Sequence, residues 1–202
     1  MAKSRYRAIA LATALAAAAG CFYEPEPAYK TVPEEARAYL QDKGFTDFAT
    51  AAKGLNPAVV DYINLDRNAI TNLEGVAAFT GLKWLRLNDN RLKSLPSLSS
   101  LASLRRIYLR DNRLTEVPEA LKDAPSLTDI ELSGNPITEV PAWLAERRGL
   151  KNLSLNRTRI QKLPADMSAW KCLKSLQLGE LHLDAAEMAR IRKALPSVAI
   201  VF

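Results

Sequence analysis

A single spacing of apolar residues recurs every 22 or 23 residues and constrains the fold of this chain more than any other feature. The spacing is apolar-x-x-apolar-x-apolar-x-x-Asn-x-apolar, and we number its positions 1 to 11 from the first apolar residue. A fixed period of this length indicates a solenoid, whose stacked repeats present an extended binding surface. Position 1 of the six successive copies is occupied by Val60, Leu82, Leu104, Leu127, Leu150 and Leu173.

The middle of each copy predicts a short strand. Positions 4 and 6 are apolar and alternate with the residues at positions 3, 5 and 7, so one face of the strand is buried. Stacked repeats align such strands into a parallel sheet with neighbours about 4.8 Å apart. The pattern therefore predicts one sheet that runs the length of the array.

The asparagine at position 9 predicts a structural ladder. Where each strand turns away, its backbone groups leave the sheet, and an Asn amide offers both donors and an acceptor to satisfy them. The fifth and sixth copies carry Thr158 and Leu181 instead, which indicates that the array approaches its end. The four ladder residues are Asn68, Asn90, Asn112 and Asn135.

The second half of each copy predicts a turn-like convex segment. Proline at one fixed place, as in Leu95-Pro96 and Leu163-Pro164, suits extended or turn backbone, and apolar residues then follow at intervals of three. Trp170 falls on this spacing and is expected in the core. Arg147 interrupts it after Leu144, which predicts a looser, more solvated convex side in the fourth copy.

These repeats resemble the leucine-rich repeat family, and the Leu-Pro half is similar to its typical 23-residue class. The resemblance spans residues 59–183. It implies an α/β solenoid, a curved horseshoe with a parallel β-sheet on the concave face. It also implies a surface generally used to bind proteins and sometimes other ligands, and it does not identify the ligand.

Both ends of the array need a cap because the outermost repeats would otherwise expose their core. Residues 33–58 show a helical pattern and predict a helical N-terminal cap, with Gly44 as a stop signal. Residues 184–202 predict a C-terminal cap of a helix plus a strand, with Asp184 as the helix N-cap and Pro196 after the helix.

The N-terminus predicts export. Basic residues precede the apolar stretch 8–19, so residues 1–20 read as a signal peptide. The segment Ala18-Ala19-Gly20-Cys21 resembles a bacterial lipobox, which implies lipidation of Cys21. In the same pattern, Phe22 in place of Asp after the cysteine implies outer-membrane sorting where a cell has two membranes. The alternative is cleavage after Ala19, giving a secreted or periplasmic protein. Residues 21–32 are rich in proline and predict a tether that holds the domain off the membrane, with a frayed terminus as the alternative.

The charge of the chain excludes a nucleic-acid binder. Its 28 basic and 22 acidic residues give +6, and loss of Lys3, Arg5 and Arg7 with the signal peptide leaves 25 against 22, or +3. The chain has two cysteines. If Cys21 is lipidated, Cys172 has no partner, so we expect no structural disulfide and a packing role for Cys172.

Catalytic and metal-binding patterns are almost absent. His182 is the single histidine, which excludes multi-histidine metal sites. Asp129 and Glu131 share one strand face, but two carboxylates on an open surface have nothing to exclude water, so they do not indicate glycoside hydrolysis. We therefore expect neither an enzyme nor a metal or cofactor, and we expect a monomer.

The concave face carries the candidate binding site. Positions 3, 5 and 7 are predicted to face outward, and their N-terminal half concentrates the residue types enriched at binding hot spots. Cross-strand pairing of Arg106 with Asp129, and of Tyr108 with Glu131, is the alternative explanation, because such pairs satisfy each other without a ligand. The candidate partner-binding residues are Tyr62, Trp84, Arg86, Arg106, Tyr108 and Arg110.

Three functions fit this sequence. The first is a non-enzymatic, envelope-anchored module that binds another protein on its concave face. The second is a glycan or peptidoglycan binder that uses Tyr62, Trp84 and Tyr108 as stacking platforms. The third is a structural envelope component whose fold matters more than any one patch.

Overall fold

The computed structural model describes residues 34–202. The predicted signal peptide, the tether and Cys21 lie outside these residues. Within them the chain forms one eight-stranded sheet whose strands are all parallel and follow one another in chain order. This is the α/β solenoid that the period predicts. The strands are β1 (Arg37–Tyr39), β2 (Tyr62–Asn64), β3 (Trp84–Arg86), β4 (Arg106–Tyr108), β5 (Asp129–Glu131), β6 (Asn152–Ser154), β7 (Ser175–Gln177) and β8 (Ala199–Val201).

The connections between strands contain short helices. Three are α-helical, namely α1 (Phe48–Ala51), α2 (Ala142–Ala145) and α3 (Ala185–Ala194). Three are 3₁₀ helices, at Val76–Ala78, Glu119–Asp123 and Ser168–Cys172, and a further 3₁₀ helix, Glu34–Ala36, precedes β1. None of the helices in residues 34–202 has the length and apolar character needed to cross a bilayer.

The core lies between the sheet and the convex segments. The position-4 residue in the strand and the position-6 residue just after it both point into the core. In the coil of β3 these are Leu85 and Leu87, which are fully buried. Leu98 and Leu101 close the same coil from the convex side and are also fully buried. One continuous hydrophobic cluster runs through all coils, with Trp170 inside it as the sequence predicts.

Every coil leaves its strand through the same left-handed turn at position 8. The seven residues in this row have φ between 52° and 69°, although one alone is a glycine. Such a φ lies in a region that L-residues seldom adopt outside turns. The repeated turn brings the side chain at position 9 under the sheet. The row comprises Asp42, Arg67, Asp89, Asp111, Gly134, Arg157 and Glu180.

Gly134 in this row makes room for a contact between coils that are not neighbours. A Cβ at residue 134 would lie 2.0 Å from Oδ1 of Asp111, so a larger residue clashes with that carboxylate. Through this gap Nη2 of Arg157 donates to Oδ1 of Asp111 at 3.1 Å, across the intervening coil.

The position-9 asparagines join neighbouring coils. Nδ2 of Asn90 donates to the carbonyl of Leu65 in the preceding coil at 2.9 Å and to that of Leu87 in its own coil at 3.1 Å. Its Oδ1 accepts from the Ile70 amide at 2.9 Å. The same contacts recur at Asn68, Asn112 and Asn135. Thr158 bonds only within its own coil, donating to the carbonyl of Leu155 at 2.9 Å.

Arg147 does not loosen the convex side, and this expectation from the sequence was wrong. Its Nη1 donates to the carbonyl of Leu121 at 2.9 Å, and its Nη2 to the carbonyl of Ala124 at 2.6 Å. The guanidinium therefore satisfies the convex backbone of the preceding coil. Burial lowers the pKa of Arg147 below its ordinary value.

Two later side chains make the same kind of contact one coil back. Nε1 of Trp170 donates to the carbonyl of Leu144 at 2.9 Å, and Nη2 of Arg190 donates to the carbonyl of Leu163 at 2.9 Å. These bonds lie in the C-terminal half, where the asparagine ladder has ended. The convex side therefore adds side-chain hydrogen bonds between coils there, beside the backbone bonds of the sheet.

The N-terminal cap differs from the predicted helical one. Residues 37–39 form strand β1, which pairs in parallel with β2, and the single α-helix of this segment is one turn long. Ala38 lies opposite Ile63 in the register, so the cap is an atypical coil with a spacing of 25 residues. It relies on Asn68 of the next coil, whose Oδ1 accepts from the amides of Lys43 and Phe45.

The C-terminal cap is the predicted helix plus strand. Asp184 caps α3 by accepting from the Glu187 amide at 2.7 Å, and Ile191 and Leu195 are buried on its inner face. Glu187 is also buried, where its Oε1 accepts from the Leu163 amide at 2.9 Å and pairs with Arg190. The hydrogen bond to Arg190 holds the pKa of Glu187 below its ordinary value.

Replacement of Asn112 by alanine tests the ladder. The change removes bonds to two coils and leaves buried backbone groups without partners, so we expect a loss of about 2–4 kcal/mol in the free energy of unfolding. Urea denaturation measures it. Gln161→Ala, at an exposed position, is the control and should stay within about 0.5 kcal/mol of the wild type. Equal stability of the two variants would contradict the role given to Asn112.

Adjacent arginines allow a matched test of the convex contact. Arg147→Ala removes charged donors from buried carbonyls and should lower the free energy of unfolding by about 1.5–3 kcal/mol. Arg148→Ala removes the same charge from an exposed side chain and should change it by less than about 0.5 kcal/mol. Thermal and urea unfolding of both variants decide the matter, and equal losses would refute the assigned role of Arg147.

Candidate functional site

The solvent-facing side of the sheet consists of two rows of side chains. The parallel register places the position-3 residues of successive strands side by side and does the same for position 5. From β2 to β7 the position-3 row reads Tyr62, Trp84, Arg106, Asp129, Asn152 and Ser175. The position-5 row reads Asn64, Arg86, Tyr108, Glu131, Ser154 and Gln177.

Three of the candidate residues form one stack in the position-3 row. The ring centroids of Tyr62 and Trp84 are 5.5 Å apart with an interplanar angle of 54°. Cζ of Arg106 lies 4.5 Å from the centroid of Trp84, a cation–π distance. Each side chain is half-buried by its neighbours. The stack is therefore held in place by contacts within the protein.

Tyr39 extends the stack and is a site residue that the sequence interpretation missed. Its ring centroid lies 5.5 Å from that of Tyr62, and 51% of the residue is exposed. It was missed because residues 33–58 were interpreted as helical, which hid the position of Tyr39 on a strand. Its alternation with the buried Ala38 was the available signal.

Arg86 and Tyr108 are the candidate residues of the position-5 row. Cζ of Arg86 lies 5.4 Å from the centroid of Tyr108. Nε of Arg86 donates to Oδ2 of Asp66 at 2.8 Å, and Asp66 is buried. Burial opposes the charge of Arg86, but the hydrogen bond and the charge of Asp66 outweigh it and raise the pKa of Arg86.

The two tyrosine hydroxyls stay protonated over the physiological pH range. Burial raises the pKa of Tyr62 and of Tyr108 above the ordinary value of 10.0. Each phenol therefore offers a neutral donor and acceptor together with an apolar ring. This combination suits recognition rather than acid–base chemistry near neutral pH.

Position 7 does not face outward uniformly, which corrects the prediction for this row. Asp66, Asn88 and Ser133 are buried, because each strand ends at position 5 and the chain then turns inward. Oδ1 of Asn88 accepts from the Arg110 amide at 2.9 Å. The exposed side chain of Arg110 lies beside Asp111, at 3.2 Å, and so belongs to the edge of the sheet rather than to the stack.

The two carboxylates beside the stack, those of Asp129 and Glu131, accept hydrogen bonds from neighbouring residues. Nε of Arg106 is 3.7 Å from Oδ2 of Asp129, and Nδ2 of Asn152 donates to Asp129 at 2.5 Å. Oε1 of Glu131 accepts from the Ser133 amide at 2.8 Å. Asp129 therefore pairs with Arg106, as the alternative explanation by cross-strand pairing predicts. Arg86 and Arg110 also lie beside carboxylates, those of Asp66 and Asp111.

A shallow polar depression of about 200 Å³ adjoins the stack on the side of β5 to β7. Tyr108 stands at one end, and the rest of its lining includes Glu131, Asn152, Ser175 and Gln177. Hydroxyl, amide and carboxylate groups so placed can bind a polar ligand through hydrogen bonds. The sheet face therefore changes from aromatic and cationic at β1–β4 to polar at β5–β7.

Cys172 departs from the expectation of a packed free thiol, since it is disulfide-bonded. The other cysteine of the chain, Cys21, lies outside the described residues. His182 is exposed. In residues 34–202 no group of three or more histidine, cysteine or acidic side chains is placed to hold a metal ion.

The fold and this surface define the class of the protein: a parallel α/β solenoid with an aromatic and arginine-rich sheet face. The family model described as leucine rich repeat matches residues 58–114 and, in an overlapping match, residues 80–137. Together the two matches cover residues 58–137, and they support a leucine-rich repeat protein, as the period of the sequence predicts. Members of this family are typically non-enzymatic scaffolds that bind proteins. In the comparison with curated proteins, nothing matches this chain.

Proposed function

We propose that this protein is a non-enzymatic binding module that holds a partner protein on the patch formed by Tyr39, Tyr62, Trp84, Arg86, Arg106 and Tyr108. The observation that carries the proposal is the continuous stack from Tyr39 to Arg106, on the solvent-facing side of the sheet. Trp, Tyr and Arg are enriched among the residues that dominate protein–protein binding energies.

The geometry of the patch favours binding for an entropic reason. Ordering a side chain at an interface costs about 0.5–1.5 kcal/mol, and this cost falls when the free protein already holds it in place. Trp84 lies between Tyr62 and Arg106, so a partner meets a preorganised surface. The ion pairs of Arg86 and Arg106 with carboxylates keep the net charge of the patch small, which favours shape and aromatic contact over bulk charge.

A glycan or peptidoglycan ligand is the second candidate. The polar depression beside Tyr108 supports it, because an aromatic ring next to amides and carboxylates can both stack on a sugar and hydrogen-bond to its hydroxyls. The angles of 49° and 54° between successive rings speak against one flat stacking platform made of Tyr39, Tyr62 and Trp84. The protein ligand is therefore the first choice.

We further propose that the module is exported and held in the cell envelope through a lipid on Cys21. The basic and apolar pattern of residues 1–20 supports export. A disulfide at Cys172 supports export too, because disulfides persist in oxidising compartments, but it argues against the lipid, since Cys21 is the one other cysteine of the chain. The alternative is a soluble secreted or periplasmic protein in which Cys21 is the partner of Cys172. The two exclude each other because both use the sulfur of Cys21.

The patch is tested by Trp84→Ala combined with Arg106→Ala. Wild-type and variant proteins are used to recover partners from envelope extracts, and each recovered protein is then titrated in purified form by calorimetry. The variant should weaken binding by at least about 2 kcal/mol, roughly 30-fold in Kd, as expected for the loss of hot-spot residues.

The matched control is Arg91→Ala combined with Arg113→Ala, two exposed arginines that directly follow the position-9 asparagines of their coils. It should bind as the wild type does, with all three proteins equally folded by circular dichroism. Unchanged binding by the patch variant would refute the patch. If the wild type binds purified cell-wall polysaccharide, the patch variant does not, and no partner protein is bound, the glycan ligand would be favoured.

The anchor is tested by membrane fractionation and intact mass of the natively expressed protein. We expect a membrane-bound chain that begins at an acylated Cys21, released into the soluble fraction by Cys21→Ser and retained by Cys172→Ser. A soluble wild-type chain that gains two hydrogen atoms on reduction would instead establish the disulfide alternative.

A further inference from the structure

The polar depression at β5–β7 contains a carboxylate whose charge has no counterion in the described part of the chain. Asp129 is compensated, since Nε of Arg106 lies 3.7 Å from its Oδ2 and Nδ2 of Asn152 donates to it at 2.5 Å. Glu131 makes no ion pair among the described residues, and the hydrogen bond that it accepts runs from the Ser133 amide to Oε1 at 2.8 Å. Its Oε2 is therefore available to a donor from outside.

Cross-strand pairing, which accounts for Asp129, does not account for Glu131. Tyr108 lies directly opposite Glu131 in the register of β4 and β5. Burial raises the pKa of Tyr108 above its ordinary value, so its phenol is neutral near pH 7 and cannot balance a carboxylate. Glu131 is only partly exposed. A partly buried charge without a counterion is unfavourable, and a cation supplied by a ligand would relieve that cost.

Two neutral acceptors accompany this carboxylate in the lining of the depression. Nδ2 of Asn152 is engaged with Asp129, whereas its Oδ1 accepts no hydrogen bond among the described residues. The hydroxyl of Ser175, on the next strand, can accept as well. A positively charged group with several donors matches this set of oxygens.

We propose that the depression takes a basic side chain, lysine or arginine, from the partner protein that contacts the patch. A lysine ammonium carries three donors and an arginine guanidinium five, and neither carries an acceptor. Hydrogen bonds from such a cation to a carboxylate are stronger than bonds between neutral groups. The depression, of about 200 Å³, leaves room for one such side chain above Glu131.

The inference rests on the proposed function, because it assigns the depression to the same partner. Tyr108 belongs to the patch and also lines the depression, so the two surfaces are continuous. Neighbouring strands lie about 4.8 Å apart, and a partner that covers Tyr108 therefore reaches Glu131 on the next strand. A neutral glycan would bring no charge to balance Glu131. A charge pair at this place chiefly fixes the orientation of the partner on the sheet.

The test uses fluorescently labelled octalysine as the probe and fluorescence anisotropy as the readout. The chain has a net positive charge, so its overall charge does not attract this probe. Glu131→Gln keeps an oxygen for the Ser133 amide and removes the charge. It should weaken probe binding about fivefold, as expected for a partly exposed ion pair. Binding by the wild type should fall as ionic strength rises, because salt screens the pair.

The matched control is Glu139→Gln, which changes the net charge equally at an exposed position outside the sheet. It should retain probe binding within about twofold. The NMR signals of the Asn152 side-chain amide locate the probe, and they should shift with the wild type but not with Glu131→Gln. Equal losses in the two variants, absence of wild-type binding or an unshifted Asn152 amide would each overturn the inference.

The inference and the proposed function fail separately. Octalysine binding is measured through Glu131, whereas the patch is tested through Trp84 and Arg106. Probe binding that does not depend on Glu131 would remove the basic side chain and leave a working patch intact. Purified cell-wall polysaccharide bound through Glu131, and not displaced by octalysine, would assign the depression to a glycan and overturn the inference.

Discussion

The stacking of this molecule depends on the hydrogen bonds of one side chain, the asparagine at position 9. Each strand ends after three residues, and its backbone then turns under the sheet, where water cannot satisfy it. Asn90 solves this for two coils at once, because its amide donates to carbonyls on both sides of the interface and its oxygen accepts from an amide of the preceding coil. The ladder supports the left-handed turn at position 8 and the alignment of positions 3 and 5 in the coils that carry it. Both features continue at Arg157 and Glu180 and through β6 to β8, where position 9 is not asparagine.

The C-terminal half uses different chemistry for the same need. After Asn135 the ladder gives way to Thr158, whose hydroxyl bonds only within its own coil. On the convex side, the guanidinium of Arg147, the indole of Trp170 and the guanidinium of Arg190 each bond to backbone carbonyls one coil earlier. These donors satisfy convex carbonyls, and leaving a buried carbonyl unpaired costs about 1–3 kcal/mol. The array thus keeps its coils joined although its repeat signature fades.

The sequence allowed the strands, their order and the clustering of Tyr62, Trp84 and Arg106 to be predicted, because strict spacing leaves few registers open. It did not reveal β1, since that coil spans 25 residues, carries the small Ala38 where a large apolar residue is expected, and carries Lys43 where Asn is expected. Tyr39, which lies on β1, was therefore not predicted as a site residue. The burial of Asp66 and the role of Arg147 were missed for another reason. Bonds from side chains to distant backbone carbonyls or amides leave no periodic trace, and only the folded arrangement displays them.

The gap at Gly134 has a consequence for how the array opens. In a linear stack each coil contacts its neighbours alone, so fraying can proceed one coil at a time from either end. The bond from Arg157 to Asp111 passes over the coil between them and ties second neighbours together. As an exposed pair it contributes about 0–1 kcal/mol, too little to decide global stability. It nevertheless couples the third coil to the fifth, so the loss of one of these coils slightly favours the loss of the other.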